Sequence, residues 1–240
     1  MYALEKIKWD IVGLSEVRRM GERIVTYPEF ILYHLGTTPG HHGVGFIVKK
    51  HLANYIEGFI GTSERIALMN LKIPGYKDPW SVIQIYSPTE QSDLETIDKF
   101  YLDLHRTIQN YAHKNLIVMG DFNGQIGARR PGENTIIGPY TYSSKTRSRN
   151  GEKITNFALE NNLIILNSKY KKNKKKMWTW TSPDGKIKNE IDFFMTNRNN
   201  YFIDFNVISQ FNFNTNHRLI RAELKTIQPK KPRPRQGPRN

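Results

Sequence analysis

The chain has 240 residues, with 36 Lys+Arg against 22 Asp+Glu, a formal net charge of +14 and no cysteine. A hydrophobic share of 38% with 12% aromatics supplies a folded core and excludes a disordered chain, and the missing thiols exclude a disulfide framework and a thiolate metal cluster. No apolar run approaches the roughly 18 residues of a membrane span, and Met1-Tyr-Ala-Leu-Glu-Lys lacks the features of a signal peptide; a nuclear or cytoplasmic intracellular location is expected, with no membrane and no obligate protein partner.

In chain order, residues 11–14, 30–33, 44–48, 66–73 and 82–86 read as strands, being short, β-branched or aromatic, and bounded by Gly, Pro or charge. Ser92 followed by Glu95 predicts a capping box. After it Leu94, Ile97, Tyr101, Leu104, Ile108 and Tyr111 recur at helical spacing, so a helix is expected over about 93–112. A strand at 116–119, a helix at 152–161 and strands at 163–166, 177–181, 191–195, 206–208 and 219–224 complete the series. Strands outnumber helices and often follow one another directly, which disfavours a doubly wound parallel fold and favours a mixed two-sheet α/β architecture. From Pro229 to Asn240 four prolines and no larger apolar side chain predict a disordered basic tail. The expected organisation is one domain over 1–226 and a tail over 227–240, in which Pro-Lys-Lys-Pro-Arg-Pro-Arg reads as a nuclear-import signal.

The charge is concentrated. Residues 169–176 carry six lysines and residues 225–240 six more cations, so twelve of the fourteen net charges sit on two appendages that contain no acid. Such runs are either solvated faces or sites for a polyanion, because lysines gain affinity by displacing counterions from phosphates.

Several strands end in a polar group. Asp10-Ile-Val-Gly-Leu-Ser-Glu16 sets a carboxylate just past an apolar run. Alone it reads as a solvated strand end, yet it is also the hard oxygen donor that Mg²⁺ takes. Leu116-Ile-Val-Met-Gly-Asp121-Phe-Asn123 repeats the pattern. Asp and Asn favour turns, but Gly120 permits close backbone approach, and Asp121 and Asn123 point the same way in extended chain. An Asp there can take a proton from water, and an Asn amide can donate to a developing oxyanion. Asn189-Glu-Ile-Asp192 and Asn214-Thr-Asn216-His217 place an acid and a lone histidine beside further strands. A lone histidine is commonly structural, whereas an Asp–His pair makes a positioned acid or phosphate donor. The chain has no P-loop, G-x-G-x-x-G, H-E-x-x-H or G-x-S-x-G motif.

Taken together these segments resemble the endonuclease/exonuclease/phosphatase superfamily. They are most similar to the apurinic-type endonuclease domain of LINE-type (RTE-like) retrotransposons, also met as craniofacial development protein 2-like sequences. The matching pieces are Asp10-Ile-Val-Gly-Leu-Ser-Glu16-Val-Arg, Gly43-Val-Gly-Phe-Ile-Val, Ile83-Gln-Ile-Tyr86-Ser-Pro-Thr89 and Met119-Gly-Asp121-Phe-Asn123. They continue with Arg149-Asn-Gly151, Thr179-Trp180-Thr-Ser-Pro-Asp-Gly185, Ile191-Asp192-Phe and Asn216-His217-Arg-Leu. The resemblance implies a DNase I-like four-layer α/β/β/α sandwich of two mixed β-sheets, with the site at one end of the sheets.

By the same resemblance, Glu16 and Asn216 would hold Mg²⁺, with Mn²⁺ as a substitute. Asp121 would align or deprotonate the attacking water, Asn123 would steady the phosphate oxygens and Tyr86 would sit over the phosphate. His217, oriented by Asp192, would stabilise the charged transition state. DNA contacts are expected from Arg149, Asn150, Trp180 and Asn189, and from Lys171 and Lys172 in the basic run. Two departures stand out. The family pattern Ser-Asp-His is here Thr215-Asn216-His217, which removes a negative charge from the metal's surroundings and is expected to weaken Mg²⁺ binding and activity. Family members also open with a strand bearing an active-site Asn, whereas Met1 to Trp9 aligns with the end of the helix that follows that strand. A truncated copy with an exposed sheet edge is expected. The competing readings are a catalytically inactive nucleic-acid-binding remnant, using the basic appendages with Trp178 and Trp180, and a phosphatase of the same superfamily.

Overall fold

The computed structural model describes residues 4–142, 147–210 and 213–225. The expected tail over 227–240, with its import-like motif, lies outside the described residues.

Alternation builds the centre of the fold. The strands β6 (Ile66–Leu71), β7 (Trp80–Tyr86), β8 (Asn115–Asp121) and β12 (Asp192–Thr196) are apolar on both faces. Side chains of a strand point alternately to its two sides, so such runs fit only a sheet covered twice. Ile66, Leu68, Ile83, Ile85, Leu116, Val118, Phe193 and Met195 accordingly pack on one side with the helices α1 (Leu94–Tyr111) and α2 (Arg149–Glu160). Ala67, Met69, Leu71, Trp80, Val82, Ile117 and Phe194 pack on the other side against a second layer of strands. Each fully buried large side chain contributes on the order of 1.5–3 kcal/mol, so these faces are what holds the two layers together.

The central sheet has six strands in the order β5–β6–β7–β8–β12–β9, where β5 is Ile56–Ser63 and β9 is Ile164–Ile165. Only the β7–β8 pair is parallel. The facing layer contains an antiparallel sheet in the order β1–β4–β3–β2, built from β1 (Ile11–Ser15), β2 (Gly21–Thr26), β3 (Phe30–Gly36) and β4 (Val44–Lys49). The hairpin β13 (Phe202–Ile208) and β14 (Leu219–Leu224) adds its apolar side chains to the same interior. A small ribbon, β10 (Trp180–Thr181) with β11 (Lys188–Asn189), stands apart from both sheets. This is the mixed two-sheet sandwich expected from the sequence, and β1 forms an edge, paired among the described residues only with β4. No helix among the described residues is long and apolar enough to cross a membrane.

The differences from expectation have local causes. Strands β2 and β5 were not foreseen; both are edges, where the apolar pattern is not required. β2 exposes five of its six residues, among them Glu22 and Arg23, and β5 is interrupted by Gly58 and Gly61. The first helix is capped by Asp93 rather than Ser92: the Asp93 carboxylate accepts the Thr96 N–H at 2.7 Å, and an ionised acceptor beats a hydroxyl at a helix N-terminus. The second helix begins at Arg149, earlier than expected, because Ser148 caps it by accepting the Gly151 N–H at 3.1 Å. Its first turn runs through Gly151, a residue that weakens helical pattern in a sequence.

Candidate active site

Strand register assembles the site. In the ladders of the central sheet, Asp121 lies opposite Tyr86 on one side and opposite Asp192 on the other. One row across β7, β8 and β12 therefore carries three of the side chains expected to act. Gly120 permits this row to form, since its φ is 138° and a Cβ there would lie 2.1 Å from the Ile85 carbonyl oxygen.

Glu16 arrives from the facing sheet. Gly13 lets β1 lie close to β7, because a Cβ at that position would meet Gln84 Oε1 at 1.8 Å. The Gln84 amide then donates to Ser15 Oγ at 2.9 Å, fixing the end of β1. The next residue turns to a φ of 53°, and the Tyr86 hydroxyl donates to Glu16 Oε1 at 2.8 Å. Arg18 donates to the other carboxylate oxygen at 2.6 Å. Burial works against the Glu16 charge, but these Tyr86 and Arg18 hydrogen bonds hold its pKa below the ordinary carboxylate range.

His217 completes the cluster from the loop before β14. Its Nδ1 lies 3.0 Å from Asp192 Oδ2, and its Nε2 lies 3.9 Å from Asp121 Oδ2. Burial opposes the imidazolium, yet the Asp192 hydrogen bond and the Asp121 and Glu16 carboxylates raise its pKa to about 9. Burial and then the neighbouring Asp192 charge push the Asp121 pKa well above the ordinary carboxylate range. The donor atoms of Asp121, Asp192 and His217 all lie within 4.8 Å of one another, a spacing that could hold a metal ion. His217, while protonated, offers that ion no lone pair, so the fit rests on the Asp121 and Asp192 oxygens with Glu16 nearby, which are the hard donors that a small divalent cation takes. The residues therefore fit such an ion.

The structure separates the remaining sequence-predicted residues into those beside the cluster and those elsewhere. Asn123 does not continue the strand in parallel with Asp121 as extended chain would require. Its φ is 48°, its N–H donates to Asp121 Oδ1 at 2.9 Å, and its side-chain amide donates to the Ser87 carbonyl at 2.9 Å. The chain turns there because β8 ends at Asp121, whose carbonyl is taken by the Ser87 N–H at 2.8 Å. Asn216 precedes His217 with an exposed side chain, and its carbonyl accepts the Thr181 N–H at 3.0 Å. Trp180 is half-buried and bridges to His217 through the backbone, and Asn189 pairs with Trp180 in the ribbon.

Asn150 is not a surface contact. Its side chain is 0% exposed, and its amide donates to the Pro88 carbonyl at 3.0 Å and the Asn123 carbonyl at 2.9 Å. It ties the two loops that carry Ser87 and Asn123 because it sits in the first turn of α2, pressed against Gly124. Arg149 is exposed but donates to the Glu90 carbonyl, and to the Ser92 carbonyl at 2.7 Å. Lys172 is paired with Asp204 at 2.6 Å, while Lys171 remains exposed.

Sequence reasoning missed the support behind Tyr86. The Arg65 guanidinium lies 5.2 Å from the Tyr86 ring centre, and it reaches His42 Nε2 at 2.9 Å. His42 in turn meets Glu64 at 2.8 Å, and Glu64 also accepts from Thr37 and Thr38. Nothing in the spacing of these residues announces the chain of contacts; it exists only because β5–β6 and the loop before β4 converge.

A family model described as the endonuclease/exonuclease/phosphatase family matches residues 3–201. The chain belongs to that family. Craniofacial development protein 2 of Bos taurus is 28% identical over 195 residues, covering 80% of this chain and 32% of that protein. The chain thus spans about a third of the length of the curated relatives it matches. Among solved structures, the AP endonuclease LMAP from Leishmania major superposes with a TM-score of 0.64 at 13% identity, covering 94% of this chain and 81% of that one. The endonuclease domain of TRAS1, a telomere-specific non-LTR retrotransposon, gives a TM-score of 0.59 at 12% identity and covers 91% and 87%. TDP2 of D. rerio complexed with a single-strand DNA product gives 0.58 at 12% identity and covers 90% and 86%. These likenesses define the fold, two mixed sheets of the DNase I-like kind.

Proposed function

We propose that the chain is a divalent-metal-dependent phosphodiesterase of the apurinic-type endonuclease class that nicks DNA, as in LINE-type retrotransposition. The observation that carries the reading is the convergence of Asp121, Asp192, His217, Tyr86 and Glu16 at one end of the two sheets. Family membership and the likeness to the TRAS1 endonuclease domain support the substrate.

Hydrolysis of a phosphodiester needs an attacking water, neutralised phosphate oxygens and a stabilised leaving oxygen. Asp121 is the proton acceptor for the water, and its burial removes competing solvent. His217, kept protonated by Asp192, places a charged donor where negative charge grows. Tyr86, backed by Arg65, donates its one hydroxyl hydrogen to Glu16 here and becomes a second donor above the phosphate once Glu16 turns to the metal. Asn123 is fixed by Ser87 beside Asp121 and keeps one amide hydrogen for a phosphate oxygen. Glu16 and Asn216 would hold Mg²⁺ or Mn²⁺ beside Asp121, and that ion would supply charge neutralisation and a more acidic water. Asn216 offers a neutral oxygen where family members carry a carboxylate, and Arg18 competes for Glu16, so metal is expected to bind more weakly than it would to a carboxylate at 216.

Nicking of supercoiled plasmid in Mg²⁺ or Mn²⁺ tests the reading. Activity abolished by EDTA and by Asp121→Ala is the expected result. No nicking in any divalent metal, even after Asn216→Asp, would overturn it. The Glu16–Arg18 pair favours one second reading, a catalytically inactive nucleic-acid-binding remnant, which predicts DNA binding that survives Asp121→Ala.

A further inference from the structure

One amide connects the Asp121 cluster to a separate cavity. Asn167 Nδ2 donates to the Asp192 carbonyl at 2.9 Å and to Glu190 Oε1 at 3.1 Å. Beyond Glu190 opens a cavity of about 270 Å³ between the basic run and β13. Its wall combines three kinds of group. Phe205 and Met177 are buried apolar surface, Glu190 is a buried acid, and Lys171 and Lys176 are exposed cations. Lys172 also lines it but is neutralised by Asp204, so Lys171 and Lys176 are the lysines there without an ion pair among the described residues.

That combination defines a ligand. An anion alone would be repelled by Glu190, and a cation alone by the lysines. Glu190 already accepts from Asn167 and the Tyr142 backbone, and burial raises its pKa to about 7, but an apolar molecule would leave its remaining lone pairs dry, which is costly. The complementary molecule is planar and apolar on its faces, bears N–H donors at one edge and carries negative charge at the other. A nucleotide has this pattern, with base amino or imino hydrogens at one end and phosphate at the other. Its position also fits. Residues 176–180 run from the cavity wall to Trp180, which bridges to His217. Four residues of extended chain span at most about 14 Å, the rise of about four stacked nucleotides.

We propose that this cavity is a nucleotide subsite. It takes one unpaired nucleotide of the strand bound at the Asp121 cluster, with the base edge on Glu190 and the phosphate on Lys171 and Lys176. The inference rests on the phosphodiesterase reading for the strand's identity. It assigns a sequence-selective role to part of the basic run, because a carboxylate accepts from the amino groups of guanine, cytosine or adenine and finds one imino donor on thymine.

The test is binding of fluorescein-labelled single-stranded oligonucleotides of increasing length, in EDTA, followed by anisotropy. Affinity is expected to step up once the oligonucleotide reaches from the cluster to the cavity. The double variant Lys171→Ala/Lys176→Ala should lose that step. The variant Lys174→Ala/Lys175→Ala removes the same charge from the same run, outside the cavity wall, and should retain it. Glu190→Gln should reduce the preference for amino-bearing bases over thymine, expected at about tenfold in the parent. Equal losses in the two lysine variants, or a base preference untouched by Glu190→Gln, would overturn the subsite and leave only diffuse charge attraction. Tight binding of free mononucleotides with no length step would also overturn it, showing a separate effector site. Because these measurements need no turnover, a length step with no plasmid nicking would reject the phosphodiesterase and keep the subsite.

Discussion

Asn150 gives the sharpest test of how the site is held. Its two donated hydrogen bonds go to the carbonyls of Pro88 and Asn123, at 3.0 and 2.9 Å, from a side chain that is itself fully buried. Truncation by Asn150→Ala leaves the Asn123 carbonyl without that partner, at about 1–3 kcal/mol, whereas the Pro88 carbonyl keeps the Ser87 hydroxyl at 3.2 Å and loses less, about 1 kcal/mol. It also removes the Asn150 Oδ1, a buried acceptor that has no partner itself, and this offsets about one such loss. The net expectation is destabilisation by about 1 kcal/mol, or roughly 2–4 °C in Tm for a domain of this size. Asn150→Asp keeps the shape but turns both donors into an acceptor facing two carbonyls, so its loss should be larger. The assay is thermal and urea unfolding of both variants, with DNA affinity measured across salt. A residue that only positions the loops loses Tm and DNA affinity together, and because its amide is uncharged the slope of log affinity against log salt stays the same in either case. Unchanged Tm together with weakened DNA binding would show that Asn150 touches DNA, and the clamp would be refuted.

Two further outcomes follow from ionisation. Desolvation raises the Glu64 pKa, but hydrogen bonds from Thr37, Thr38 and His42 overcome it and hold the value down to about 2 against an ordinary 4.5, so its contribution is complete above that ordinary value and disappears as pH falls towards the folded one. The shift corresponds to about 3 kcal/mol at most, and Glu64→Gln should be less stable at neutral pH yet lose less on acidification, read by urea unfolding at neutral pH and at about pH 3; parallel pH profiles would reject the linkage. In metal-free protein, Asp192→Asn should drop the His217 pKa from about 9 towards the ordinary 6.5, followed by imidazole NMR, and an unmoved titration would show that Asp192 does not hold the imidazolium.

The legibility of this chain divides along a physical line. Asp121 and Asp192 could be found because one ends and the other begins an apolar strand, whereas Tyr86 was reached only through the family resemblance; adjacent strands of one sheet then bring all three into one row. Asn150 was legible as a motif residue and illegible in its role. A polar residue beside an arginine at a helix start looks like a surface contact until the packing of α2 on Gly124 buries it. The Arg65–His42–Glu64 support and the Glu190 cavity were illegible altogether, because neither is a property of any one segment. The same division recasts the charge. Six lysines in residues 169–176 read as one diffuse patch in the sequence. In the fold Lys172 is spent on Asp204, Lys174 and Lys175 face solvent, and Lys171 and Lys176 frame a cavity with an acid in its wall. A run whose members have different surroundings cannot act as a uniform polyanion handle. Its contribution to affinity must differ residue by residue, and two variants of equal charge are enough to measure the difference.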